Sequence, residues 1–219
     1  YGCYYTRTTG IWQTVWLEAV HPAGLQDFAI VPDVGSGAFV LIPAFRSTRD
    51  GLAVTARAIR DGVEVARSTA PARNGIPFAL PIPDAALWRP DDPVLYDLDL
   101  AVEIDGEPVD RVRSYAGLRE IVLRDGKFFV NGSSVYLRFV LDQGFYPDGI
   151  WTAPSDEALR RDIELSMEAG FNGARLHQKV FEDRFHYWAD RLGYLAWSEW
   201  PSWGFEYNSA KSARYFLSE

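Results

Sequence analysis

At 219 residues and 47% hydrophobic side chains, the chain has enough apolar material for one large domain or two modest ones. A formal charge of -8 argues against a polyanion-binding surface, which needs clustered Lys and Arg, so no nucleic-acid partner is expected and a neutral or weakly charged ligand is easier to accommodate. The single cysteine, Cys3, excludes an internal disulfide framework and a Cys-rich metal site, and no apolar run is long enough to span a bilayer.

The amino end, Tyr1 to Tyr5, has no initiating Met, no basic region and no apolar stretch of the kind a signal peptide needs. The carboxyl end, Lys211 to Glu219, stops without a turn signal. Both ends read as truncations of a longer protein, and cytoplasmic and secreted locations stay open. Residues 1–11 are polar-aromatic and rich in Thr, and suit the exit from a preceding β-domain.

Short strands follow. Thr14 to Val20 alternates, with Val15, Leu17 and Ala19 on one face, and Gly37 to Ile42 is an apolar run suited to a strand buried on both sides. Val54 to Arg60 and Val63 to Arg67 flank Asp61-Gly62, a two-residue hairpin signal. Trp88-Arg89-Pro90 and Pro93 read as a packed loop and a rigid turn. Val94 to Ile104 then puts Val94, Tyr96, Leu98, Leu100, Val102 and Ile104 on a core face and Asp97, Asp99 and Glu103 on a water face. Asp105-Gly106 turns it into Val109 to Tyr115. Roughly seven short strands over about a hundred residues fit an immunoglobulin-like β-sandwich.

After Gly117 the pattern changes. Asp125-Gly126 separates Ile121 to Leu123 from Lys127 to Val130, and Asn131-Gly132 turns the chain again. Three strands then alternate with two helices: Val135 to Leu141, Gly173 to His177 and Tyr194 to Ser198. The first helix starts at Ser155 as N-cap and ends at Gly170. The second buries Phe181, Phe185, Trp188, Ala189 and Leu192 and ends at Gly193. Strands alternating with helices signal a parallel α/β sheet or barrel, whose ligands sit at the carboxyl ends of the strands. Asp142 and Gln143, His177, and Glu199 stand at those ends.

Several fragments, in order, resemble glycoside hydrolase family 2, the β-galactosidase, β-glucuronidase and β-mannosidase group. These are Thr6 to Glu18, Trp88-Arg89-Pro90 with Pro93 to Tyr96, Gly117-Leu118-Arg119, Phe129 to Gly132, Leu137-Arg138, Phe171 to His177, and Asp190 to Glu199. The resemblance implies a multidomain β plus α/β chain. Residues 1–13 would end a jelly-roll sugar-binding-type domain, 14–118 form the immunoglobulin-like β-sandwich, and 119–219 form the first part of a (β/α)8 TIM barrel, to about its third strand. It implies a retaining exo-β-glycosidase with a carbohydrate substrate and no cofactor. Retention needs two carboxyl groups roughly 5–5.5 Å apart. In the family these are Glu residues on later strands, the acid/base preceded by Asn, and no Asn-Glu pair occurs in this chain. The catalytic acid/base and nucleophile are therefore expected downstream, and the chain alone is expected to be inactive.

The family likeness also assigns supporting roles. Arg175 matches an arginine that lies against the nucleophile, the alternative being a structural ion pair. His177 is a hydroxyl-binding group, or orients other groups by hydrogen bonds, while Asp142 and Gln143 meet sugar hydroxyls or cap their own loop. Glu199 matches an acidic residue that supports the site. Among Trp197, Trp200, Trp203, Phe205 and Tyr207, Trp200 and Trp203 are the candidates for stacking on a sugar, and Trp197 is assigned to the core. Phe139 departs from the family likeness, in which many members have Gly two residues after Leu137, and implies altered packing at the barrel top.

Two other readings compete. One is a non-catalytic carbohydrate-binding or scaffold module. The other is a metal-dependent hydrolase using His177 and His186, which lack a spaced ligand motif. An open barrel edge and uncovered apolar faces imply self-association.

Overall fold

Among the described residues, the Asp-Gly or Asn-Gly turns at 61–62, 105–106, 125–126 and 131–132 take positive φ at both residues, 52° and 78° at Asp61-Gly62, as a type I′ hairpin requires. The computed structural model describes residues 8–201 together with Glu206, Ser209 and Ala210. The chain divides into two units, Trp16–Tyr136 and a second made of Tyr1–Val15 with Leu137–Glu219.

The first unit carries β1 (Leu25–Asp33), β2 (Ala38–Phe45), β3 (Leu52–Arg60), β4 (Val63–Pro71), β5 (Phe78–Pro81), β6 (Tyr96–Ile104) and β7 (Glu107–Ala116). They form two antiparallel sheets, β1-β2-β5 and β4-β3-β6-β7. One core joins the sheets: Phe39, Leu41 and Leu80 from the first meet Val54, Ala56, Leu98, Leu100 and Val102 from the second. This is a β-sandwich. A separate small antiparallel sheet follows, β10-β9-β8, from β8 (Ile121–Arg124), β9 (Lys127–Val130) and β10 (Ser133–Val135).

Three expectations need correction here. Thr14 to Val20 joins no sheet, and Leu17 is fully exposed at 101%. Its alternation has no partner strand to act on, and the division between the two units falls inside it. Asp99 lies on the face away from the core, as expected, but is not open to water: the Arg111 guanidinium covers its carboxylate, Nε to Oδ1 at 2.8 Å, and leaves it 6% exposed. That hydrogen bond, more than any other influence, holds the Asp99 carboxyl below the ordinary range. The stretch Val135 to Leu141 is two elements, because Val135 closes the β9-β10 ladder and the next strand starts only at Phe139.

The second unit contains β11 (Phe139–Asp142), α1 (Asp156–Glu168), β12 (Gly173–Leu176), α2 (Asp183–Leu192) and β13 (Leu195–Ser198). The strands form a parallel sheet in the order β11-β12-β13. Ser155 caps α1, its side chain accepting from the Ala158 N–H. The helix ends in a Schellman motif, with Gly170 N–H on Met167 O at 2.9 Å and Phe171 N–H on Ser166 O at 3.1 Å. α2 ends at Gly193, left-handed at φ 77°. Alternation along β12 sends Ala174 and Leu176 into a core with Leu159, Ile163, Phe185 and Ala189 of the helices. Arg175 points to the opposite, exposed side. Trp197, expected in the core, is 50% exposed among the described residues.

Candidate functional site

Parallel strands all end on one side, so β11, β12 and β13 deliver their carboxyl-terminal residues to a common edge. Asp142 is the last residue of β11, and its carbonyl accepts the His177 N–H at 2.7 Å, just past β12. The Gln143 amide nitrogen lies 2.9 Å from His177 Nδ1. With that amide donating, Nδ1 is the acceptor and Nε2 carries the ring proton, free to donate outward. The Asp142 carboxylate turns back on its own loop and accepts the Gly144 N–H at 2.7 Å. Burial raises its pKa above the ordinary carboxylate value, against the lowering effect of that bond.

Arg175 and Glu199 form the second feature. Arg175 pairs through Nε with Glu199 Oε1, and Glu199 Oε2 accepts the Gln178 N–H at 3.3 Å. The Arg175 hydrogen bond is the main cause that holds the Glu199 carboxyl below its usual range. Strand register explains the pairing. Arg175 lies level with Trp197, which puts the residue just beyond β13 within reach of the guanidinium. The Arg175 side chain is still 50% exposed, leaving guanidinium hydrogens to offer elsewhere. Gln178, between the two features, sits at φ 54°, an uncommon backbone for a residue with a side chain.

Trp200 is partly buried beside Glu199. Trp203, Phe205 and Tyr207 lie outside the described residues. His186 is on α2 with its ring against Phe185, centroids 6.1 Å apart, and burial lowers its pKa.

One residue escaped the sequence reading. Lys179 is 2% exposed, and its ammonium donates to the carbonyls of Gly144 at 2.8 Å and Trp151 at 2.9 Å. It lies over the rings of Trp12 and Phe181, 4.8 Å from each centroid, and 5.7 Å from that of Trp151. No local pattern marks it. The only signal was a surplus of aromatics at distant positions.

A β-sandwich and a parallel α/β segment with polar strand ends define a multidomain β plus α/β class, and comparison with known proteins narrows it. The model of Glycosyl hydrolases family 2 matches residues 49–119. The chain is 30% identical over 201 residues to a putative beta-glucuronidase of Formosa agariphila, covering 88% of this chain and 24% of that protein. It is 26% identical over 204 residues to a beta-galactosidase of Thermoanaerobacter pseudethanolicus, covering 89% and 27%. Its fold is similar to an FMN-binding beta-glucuronidase structure from Facaelibacterium prausnitzii, with TM-score 0.78, 22% identity, and coverage of 91% and 33%. These matches support the reading of the chain as a fragment of the glycosyl hydrolase family 2 type. The chain spans about a quarter of the length of these curated relatives.

Proposed function

We propose that the chain is the immunoglobulin-like sandwich (14–118) and the opening strands of the (β/α)8 barrel (119–219) of a retaining exo-β-glycosidase that hydrolyses O-glycosidic bonds in carbohydrates. The observation that carries this reading is the common edge. Three successive parallel strands bring Asp142 with Gln143, Arg175 with His177, and Glu199 to one end of one sheet. In a barrel that end is the active-site mouth.

Each group then has a role. A nucleophilic carboxylate from a later strand attacks the anomeric carbon, and a second carboxyl protonates the leaving oxygen. Arg175 keeps that nucleophile ionised and aimed, while Glu199 steadies the guanidinium by accepting from its Nε. His177 Nε2–H, aligned by Gln143, donates to a sugar hydroxyl, and Trp200 offers an aromatic face to the ring. The chain supplies no Asn-Glu pair, so these 219 residues alone are inactive.

The test is a longer polypeptide that continues past Glu219 through a complete barrel, assayed on aryl β-glycosides. Hydrolysis with retained anomeric configuration is expected, with Arg175→Ala lowering kcat on the order of 10²-fold. One observation favours the scaffold reading instead: Arg175 already has a carboxylate partner, Glu199, inside the chain. Saccharide binding without any hydrolysis by the longer protein would establish that alternative.

We also propose self-association of the chain. Leu141 on β11 and Trp197 on β13, the two outer strands, are about half exposed at 51% and 50%. Sedimentation velocity should show mass rising with concentration. A clean monomer across the accessible range would count against an open edge.

A further inference from the structure

A buried ammonium without a carboxylate on it is costly. An apolar side chain of similar length would fill the same space without that cost. What an apolar side chain lacks is direction. Lys179 Nζ holds two carbonyls seven residues apart in the loop between β11 and α1, those of Gly144 and Trp151. The rings of Trp12, Phe181 and Trp151 face the cation, and the Thr152 hydroxyl donates to Trp12 O at 2.9 Å to keep Trp12 in place. Gly144 is bare because the approach is close. A Cβ there would stand 2.7 Å from Lys179 Nζ and 2.8 Å from Phe181 Cζ, on a backbone at φ +57°.

The contacts run on from the cation to the strand ends without a gap. Gly144 accepts from Lys179 and donates its N–H to Asp142, the Asp142 carbonyl accepts the His177 N–H, and the Gln143 amide meets His177 Nδ1. On its other side Lys179 follows Gln178, whose N–H bonds to Glu199. One side chain thus fixes the start of both loops that leave the common edge.

We propose that Lys179 is a positioning residue: its caged ammonium locks the loop after β11 to the loop after β12, and so sets the orientation of Asp142, Gln143 and His177. This rests on the reading of that edge as the substrate mouth. The readout below needs no activity, so failure of the glycosidase assay and failure of this inference remain separable.

The experiment is nitrogen-15 NMR of the imidazoles in the 219-residue chain, which has three histidines. In the unaltered protein His177 should show two well-separated ring nitrogens, Nδ1 as acceptor and Nε2 protonated. In Lys179→Met, which keeps the stem and removes the charge and both donors, the separation should narrow by about half as the tautomers mix. His21 and His186 should not move. Lys179→Arg, which keeps a charged donor, should restore part of the separation. If the Met variant does not fold, Lys179→Gln, which keeps an amide donor, should show a smaller narrowing. An unchanged His177 spectrum in a folded Met or Gln variant, whatever the loss in Tm, would overturn the proposal and leave Lys179 a stability residue only.

Discussion

Gly173→Ala is expected to cost the α/β unit on the order of 3 kcal/mol or more, the upper end of what overpacking does in a close-packed interior. Gly173 has an ordinary backbone, so the reason is space. A Cβ at this position would run into Phe139 Cε1 and the Leu195 carbonyl oxygen, and would lie 2.6 Å from Phe139 Cζ. Gly173 is level with Phe139 on β11 and with Leu195 on β13, at the centre of the three-stranded sheet. The ring can turn aside, but the carbonyl belongs to the neighbouring strand and can move only with it. Phe139→Ala placed on the Gly173→Ala background should therefore recover part of the loss and not all of it. Urea unfolding followed by circular dichroism measures both variants. A single variant within about 0.5 kcal/mol of the parent, the range of neutral surface changes, would show that the strands are not packed this closely.

The same contact explains the departure at Phe139. A large ring at this position is accommodated because the position level with it on the next strand is glycine. Sequence alone exposed the unusual residue but not its partner, since register between parallel strands joined through a helix is not a local property.

That distinction divides what was legible from what was not. The Asp61-Gly62 and Asp105-Gly106 turns were readable because both demands, positive φ and strand reversal, are met by two adjacent residues. Ser155 and Gly193 were readable as helix ends for the same reason. β1 and β5 were missed: both are outer strands of their sheet, β1 carries Pro32 near its end, and β5 is only 4 residues long and ends in Pro81. Thr14 to Val20 misled because alternation describes a strand only when something lies beside it. At the candidate site, Arg175, His177 and Glu199 could be picked out as polar residues at strand ends. The Arg175–Glu199 pairing and the cage around Lys179 could not, since they join positions from 12 to 199.

Trp88→Ala is the other change expected to be severe, about 3–5 kcal/mol from the sandwich unit, as for other buried tryptophans. Trp88 is 1% exposed, and three fragments far apart in sequence meet on it. Its N–H donates to Leu118 O at 2.9 Å, its carbonyl accepts from Asn131 Nδ2 at 2.8 Å, and the Arg119 guanidinium lies 4.4 Å from its ring centroid. Gly117 must be small here, because a Cβ would come within 3.0 Å of Trp88 Cβ. Trp88-Arg89-Pro90, Gly117-Leu118-Arg119 and Asn131-Gly132 therefore form one packing unit. Removing the ring should hurt far more than removing the charge above it. Arg119→Leu should cost only about 1–2 kcal/mol, the size of a cation–π contact at a half-buried site. Both are read from urea midpoints by far-ultraviolet circular dichroism, because Trp88 is itself a fluorophore. If the two variants lose equal stability, the ring is not the centre of this contact and the bonds to Leu118 and Asn131 hold the segment without it.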